Sequence, residues 1–171
     1  MKPLTEPGRF RIKQASVEQL LDAARMKAAA WRETYPLPDE VLDLVEAAAT
    51  RTADYWQEQV RTGAYFWIVV DTANDSEIVG VSNAAVGRDL DAPTPLELTM
   101  IYLLDVAKGS GIADRLMEMT IGDAPAYLWV MEGNDRALAF YRRHGFELDG
   151  ERRDMGGTLE GHAEVRMVRG L

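Results

Sequence analysis

Polar and apolar residues alternate through Arg9-Phe10-Arg11-Ile12-Lys13, the period of a half-buried strand, and the pattern then changes to a helical one that runs to about Thr34. Ser16-Val17-Glu18-Gln19 supplies a capping box at the helix start, and Pro36 and Pro38 stop it. Asp39 to about Ala49 and Thr52 to about Thr62, with many Ala, Leu and Glu, read as one or two further helices. From Tyr65 the residues turn aromatic and β-branched. Tyr65 to Val70 and Ile78 to Val86 predict a hairpin that turns at Asn74-Asp75. A Pro-rich break at 91–95 precedes a third strand of this group, Leu96 to Leu104. A helix over Gly111 to Ile121, a short buried strand over Ala126 to Met131 and a helix over Asn134 to His144 follow. Phe146 to Arg153 with Ala163 to Val168 read as a closing hairpin.

Between the Leu96 to Leu104 strand and the next helix lies Lys108-Gly109-Ser110-Gly111-Ile112-Ala113, which is an anion cradle in outline. Glycines let backbone N–H groups crowd together without Cβ obstruction, and the unpaired amides of a helix's first turn add partial positive charge at the same place. A diphosphate suits such a site. The phosphate loop of nucleotide hydrolases is excluded, because Lys108 precedes the glycines and Ile112 follows Gly111. A dinucleotide fingerprint also fails: its third glycine position is Asp114, whose carboxylate at a helix start would repel a pyrophosphate.

Composition narrows the class. With 171 residues, 47% of them hydrophobic, the chain fits one domain over 1–171, with a flexible lead at 1–8. It has no cysteine and only two histidines, His144 and His162, so neither a thiolate nucleophile nor a metal site is expected. A formal net charge of −9 disfavours nucleic acid and anionic membranes as partners and mildly favours a cationic one. No stretch is long and apolar enough to span a bilayer, and a cytoplasmic location is the default expectation.

The cradle resembles the Gln/Arg-x-x-Gly-x-Gly/Ala turn of the GNAT (GCN5-related N-acetyltransferase) family. A second block, Asn134-Asp135-Arg136-Ala137-Leu138-Ala139-Phe140-Tyr141-Arg142-Arg143-His144-Gly145-Phe146, resembles the family's Asn-x-x-Ala-x-x-Phe-Tyr-x-x-x-Gly-Phe. The resemblance covers roughly residues 9 to 169. It implies an α/β fold with a mixed twisted sheet, helices on both faces and the order β-α-α-β-β-β-α-β-α-β-β. It also implies an acetyl-CoA-dependent N-acetyltransferase, without a metal, acting on an amine of a small molecule such as a polyamine or aminoglycoside, or of a peptide. A homodimer is compatible with this reading, and a non-catalytic acyl-CoA sensor is the alternative from another class.

By the same resemblance, Lys108, Gly109, Ser110, Gly111, Ile112 and Ala113 hold the diphosphate, and Leu103 and Leu104 are cofactor-binding. Asn134 reaches the pantetheine arm, and Ala137 and Phe140 are cofactor-binding. Three positions depart from the family pattern: Asp105 where a proline is usual, Ala107 where an aromatic is usual, and Lys108 at the Gln/Arg position. Lysine still attracts phosphate as a point charge, without arginine's fork. Asp105 would oppose the diphosphate unless it points away or pairs with Lys108.

Acetyl transfer to an amine needs a neutral nucleophile, a polarised carbonyl and a proton for the departing thiolate. With a pKa near 10.4, only about one alkylamine in two thousand is neutral at pH 7, which gives a positioned base its use. Glu97, on the strand that leads to the cradle, is the candidate base, or else a solvated strand-end carboxylate. The phenol of Tyr141 is the candidate donor to the thiolate, or else an aromatic packed with Phe140 and Phe146. Carbonyl polarisation falls to a backbone N–H near Leu103. Trp31 and Tyr35, spaced i, i+4 in a segment that resembles Ala-Trp-x-x-Thr-Tyr of small GNAT proteins, either wall the acceptor pocket or belong to the core, with Glu33 pointing elsewhere.

Overall fold

The alternation in Phe66-Trp67-Ile68-Val69-Val70 puts two apolar faces on one strand, so both sides must be covered. A computed structural model describes residues 4–170 and shows how this is done. The chain divides into two compact units, Met1–Ala84 with Met100–Gly122, and Ala85–Thr99 with Asp123–Leu171. In the first unit β1 (Phe10–Gln14) pairs antiparallel with β2 (Phe66–Asp71), which pairs antiparallel with β3 (Glu77–Val86) across a bulge at Val69/Val70.

Phe66, Ile68 and Val70 face a cluster containing Leu20, Ala23 and Ala24 of α1 (Leu20–Thr34) and Ala53 and Trp56 of α3 (Ala49–Arg61). Trp56 and Phe66 pack with ring centroids 4.9 Å apart. Complete burial of side chains of this size contributes about 1.5–3 kcal/mol each. Val69 faces the other way, into a cluster with Val79, Leu103, Ile112 and Leu116, the last two on α4 (Ile112–Ile121). Helices therefore cover both faces of this part of the sheet, as expected.

Three helices separate β1 from β2, the larger of the two counts that the sequence left open. Ala48 closes α2 (Asp39–Ala47), donating its N–H to Leu44 O, and the chain re-enters a helix at the next residue. Arg32 ties the end of α1 to α2 through Asp39 and Asp43, at 3.2 and 2.6 Å. These exposed pairs fix orientation more than they stabilise. At the chain start, the expected loose lead 1–8 includes residues 1–3, which lie outside the described residues. Within the rest of it, Thr5 N–H donates to Ser110 O and Glu6 pairs with Arg9.

The second unit contains the start of β4 (Leu96–Leu103), then β5 (Ala126–Met131), α5 (Asp135–Arg143), β6 (Glu147–Asp154) and β7 (Ala163–Arg169). β4 and β5 are parallel, with Glu97 opposite Tyr127. β7 pairs antiparallel with both β5 and β6. The full hydrogen-bonded order is β1-β2-β3-β4-β5-β7-β6. Every residue of the edge strand β6 is exposed, most carry charge, and its pairing slips between Leu148 and Arg152, where Gly150 has φ +96°. Charges and a bulge on an edge discourage pairing with another chain. Among the described residues no helix is long and apolar enough to cross a membrane, and no cluster of His, Asp and Glu is arranged to hold a metal ion.

Candidate active site

The glycine turn has the backbone that its sequence requires. Gly109 and Gly111 sit at φ +82° and +86°, a region that L residues with side chains rarely occupy, and Gly111 is the N-cap of α4. A Cβ added at Gly109 would meet nothing within 4 Å, so the space beside it is open. The N–H groups of Gly109 and Gly111 donate to nothing among the described residues. Ser110 is used differently. It is buried, its hydroxyl donates to Ala107 O at 2.6 Å and accepts from Ile112 N–H at 3.3 Å, and its carbonyl accepts from Thr5 N–H. Ser110 shapes the turn, whereas the N–H groups of the exposed Gly109 and the buried Gly111 are left without a partner among the described residues.

Asp105 pairs with Lys108, Oδ1 to Nζ at 2.6 Å, which resolves one of the two alternatives its sequence position left open. Lys108 Nζ also donates to Thr34 Oγ1 at 3.3 Å and lies 3.9 Å from Glu33. Glu33 does point away from the Trp31/Tyr35 face: its Oε2 accepts the Asp105 N–H at 2.6 Å. The last turn of α1 is thus bound to the turn that leads into the cradle. Glu33→Ala is expected to weaken CoA binding severalfold while Glu33→Gln, which retains an acceptor oxygen, stays near wild type, both measured by calorimetry. Equal affinities for the two variants would count against this coupling.

At the end of β4, Leu104 N–H donates to Val79 O at 2.9 Å. Successive amides on a strand point to opposite edges, so the Leu103 N–H faces away from β3. That makes Leu103, not Leu104, the candidate to polarise a carbonyl. Across the first unit, Trp31 and Tyr35 lie edge to face with ring centroids 4.9 Å apart. Trp31 is buried and Tyr35 half-buried, so the pair belongs partly to the core.

Glu97 is not a solvated strand-end carboxylate, since it is only 2% exposed. Arg88 grips it with Nη2 to Oε1 at 2.6 Å and Nε to Oε2 at 3.0 Å, and its own backbone N–H reaches Oε2 at 3.3 Å. The Tyr127 hydroxyl donates to Oε2 at 3.1 Å while accepting the N–H groups of Arg88 and Asp89. Gly87 permits this approach, because a Cβ there would lie 2.9 Å from the Tyr127 ring. Burial pushes the Glu97 carboxyl up, but Arg88's hydrogen bonds and charge, with Tyr127, outweigh it and hold the group below the ordinary glutamate value.

The sign of the resulting pH dependence follows. Glu97 contributes stability at pH values above its unfolded-state pKa, and that contribution is lost as pH falls through the lowered folded value. In Arg88→Met the largest opposition to burial is removed, with only the Tyr127 hydroxyl and the backbone N–H of residue 88 left, so the carboxyl rises and the variant loses stability relative to wild type as pH increases toward neutrality. Urea midpoints taken across pH 4–7 should separate the two proteins by about 1–3 kcal/mol at the neutral end and less at the acid end. A gap independent of pH would contradict this account of Glu97.

On α5, Asn134 is the N-cap, its side chain accepting Ala137 N–H at 3.1 Å. Leu138 and Tyr141 are buried, while Ala137 and Phe140 are half-buried. The Tyr141 ring lies 5.5 Å from Phe140 and 6.0 Å from Phe146, so the aromatic packing anticipated for it is present. Gly145, at φ +82°, ends the helix as expected. The partners of Glu97 are Arg88 and Tyr127, which the sequence did not single out. The alternation Leu96-Glu97-Leu98 reads Glu97 as solvent-facing, so its burial and its need of a cation became visible only in the structure.

The comparisons with known proteins agree with this architecture. The acetyltransferase (GNAT) family profile matches residues 24–146. An uncharacterized N-acetyltransferase of Mycobacterium bovis is 30% identical over 148 residues, which are 78% of this chain and 88% of that one. Among solved structures, a ribosomal-protein-alanine N-acetyltransferase from Brucella melitensis superimposes with TM-score 0.68 at 18% identity, covering 94% of this chain and 99% of the other. The NatC complex bound to Gag peptide and CoA gives TM-score 0.60 at 17% identity, covering 95% and 99%. These proteins share the fold of an acyl-group transferase. The chain belongs to the GNAT family and is an N-acetyltransferase.

Proposed function

We propose that this enzyme transfers the acetyl group of acetyl-CoA directly to a primary amine of a small molecule, within one domain spanning the chain. The observation that carries the reading is the turn at Gly109 and Gly111, whose amides have no partner among the described residues and stand at the N-terminus of α4. A diphosphate there gains N–H donors and the favourable end of a helix dipole. Bound acetyl-CoA would supply the acetyl thioester. By family resemblance, Asn134 is assigned to its pantetheine arm, and Ala137 and Phe140 to the cofactor site. The Leu103 N–H is assigned to the carbonyl oxygen, a donor fixed before charge develops.

Two proton transfers remain. Tyr141 is the proposed donor to the departing thiolate. Glu97, ionised at neutral pH, is the proposed acceptor of the amine's proton, reached through water because Arg88 and Tyr127 occupy its oxygens. A base with a lowered pKa places the acidic limb of the rate profile below the ordinary carboxylate range, and Glu97→Gln should flatten that limb. The test of the function is calorimetry with acetyl-CoA, followed by CoA release with polyamines, amino acids, aminoglycosides and N-terminal peptides. Binding with turnover on a small amine is the expected result. Binding without turnover on any amine would identify a sensor, and turnover confined to peptides would reassign the acceptor.

A further inference from the structure

Two polar groups on α1 are left without a match. Trp31 Nε1 is buried and donates to nothing among the described residues. One helical turn earlier, Lys27 Nζ lies 6.0 Å from the Trp31 ring centroid and 5.9 Å from that of Tyr102, with no carboxylate paired to it among the described residues. Residues four apart on a helix share a face, so both donors belong to one patch. Tyr102 precedes Leu103 on β4, which puts the patch beside the amide assigned to the carbonyl oxygen.

A buried N–H without an acceptor costs about 1–3 kcal/mol, and native proteins keep few such groups. A lysine surrounded by aromatic rings and lacking a counter-ion is a second unmatched charge in a chain of net charge −9, where acidic partners are plentiful elsewhere. Burial alone pushes the Lys27 ammonium below its ordinary value, an effect that a nearby anion would oppose.

Resting on the acetyl-transfer reading above, we infer that Lys27 and Trp31 receive an anionic group of the acceptor, so that the substrate is a primary amine that also carries a carboxylate. The carboxylate accepts from Lys27 Nζ first. Trp31 Nε1 is sealed from solvent and becomes its second donor when the packing over the indole opens to admit the carboxylate. A polyamine, which the net charge of the whole chain favours, meets a positive charge at this spot. The local charge decides, because it acts over a few ångströms in a desolvated place while surface charges are screened.

The common amino acids are assayed by CoA release against the amine that each gives on decarboxylation, with spermidine and kanamycin alongside. Wild type is expected to favour at least one amino acid over its amine by about tenfold or more in kcat/KM, since a site built for a polar group rejects the analogue that lacks it. Lys27→Met, which keeps the length of the side chain, should remove that preference. Trp31→Phe, which keeps a ring and loses only the N–H donor, should reduce it. Preference for the amines or for spermidine, or discrimination unchanged in both variants, overturns the inference. Calorimetry separates the two failures: acetyl-CoA binding without any preference for amino acids sinks the anion site alone, whereas absence of acetyl-CoA binding sinks the transfer reading beneath it.

Discussion

Gly111→Asp raises the dissociation constant for acetyl-CoA by about a hundredfold or more, roughly 2.7 kcal/mol, when measured by calorimetry. Two effects combine. The side chain is placed at φ +86°, where aspartate is tolerated better than most residues but still at some cost, and a negative charge enters the amide cluster proposed for a diphosphate. Gly111→Asn separates them, because it has nearly the same shape and backbone tolerance without the charge. The asparagine variant should bind with intermediate affinity. Both variants keep wild-type circular dichroism, since α4 is anchored by Ile112, Leu116 and Met117 in the core rather than by its cap. Wild-type affinity in the aspartate variant would remove the cradle from the site.

Much of this cradle was legible in the sequence because its cause is local. Glycine at two positions flanking one serine permits a backbone with positive φ, and the following apolar period favours a helix start, with no need of distant residues. Asn134 as an N-cap and Gly145 as a stop are local in the same sense, and both stand where expected. The number of helices before β2 was less legible, since Ala48 interrupts the α2–α3 stretch by its backbone angles alone and alanine carries no signal of a break.

The surroundings of Glu97 and Lys108 were hidden for a different reason. Arg88 and Tyr127 meet Glu97 from nine and 30 residues away, and Glu33 meets Asp105 from 72. Such pairs depend on how elements pack, and no periodicity records which of many arginines or glutamates will be chosen. What could be read was one need: Asp105 beside the proposed diphosphate turn has to point away or be neutralised, whereas the alternation around Glu97 pointed to solvent. The structure supplies both partners. It also alters the chemistry expected of Glu97, whose carboxyl is held low by Arg88 and so acts as a weaker base than a free glutamate.

Tyr141→Phe lowers kcat by about a hundredfold, with little change in the Michaelis constant for acetyl-CoA. The substitution keeps the ring that packs against Phe140 and Phe146 and removes only the hydroxyl, so the fold should lose no more than about 1 kcal/mol. The pH dependence separates proton donation from mere packing. A thiol of pKa near 8.5 leaves readily as the thiolate once pH exceeds about that value, whereas below it the departing sulfur benefits from a proton. The deficit of the variant is therefore largest near neutral pH and shrinks as pH rises past about 8.5. Rates measured from pH 6.5 to 9.5 at saturating acetyl-CoA give the comparison. A deficit constant across that range assigns Tyr141 to positioning the pantetheine arm, and full activity in the variant leaves protonation of the thiolate to water.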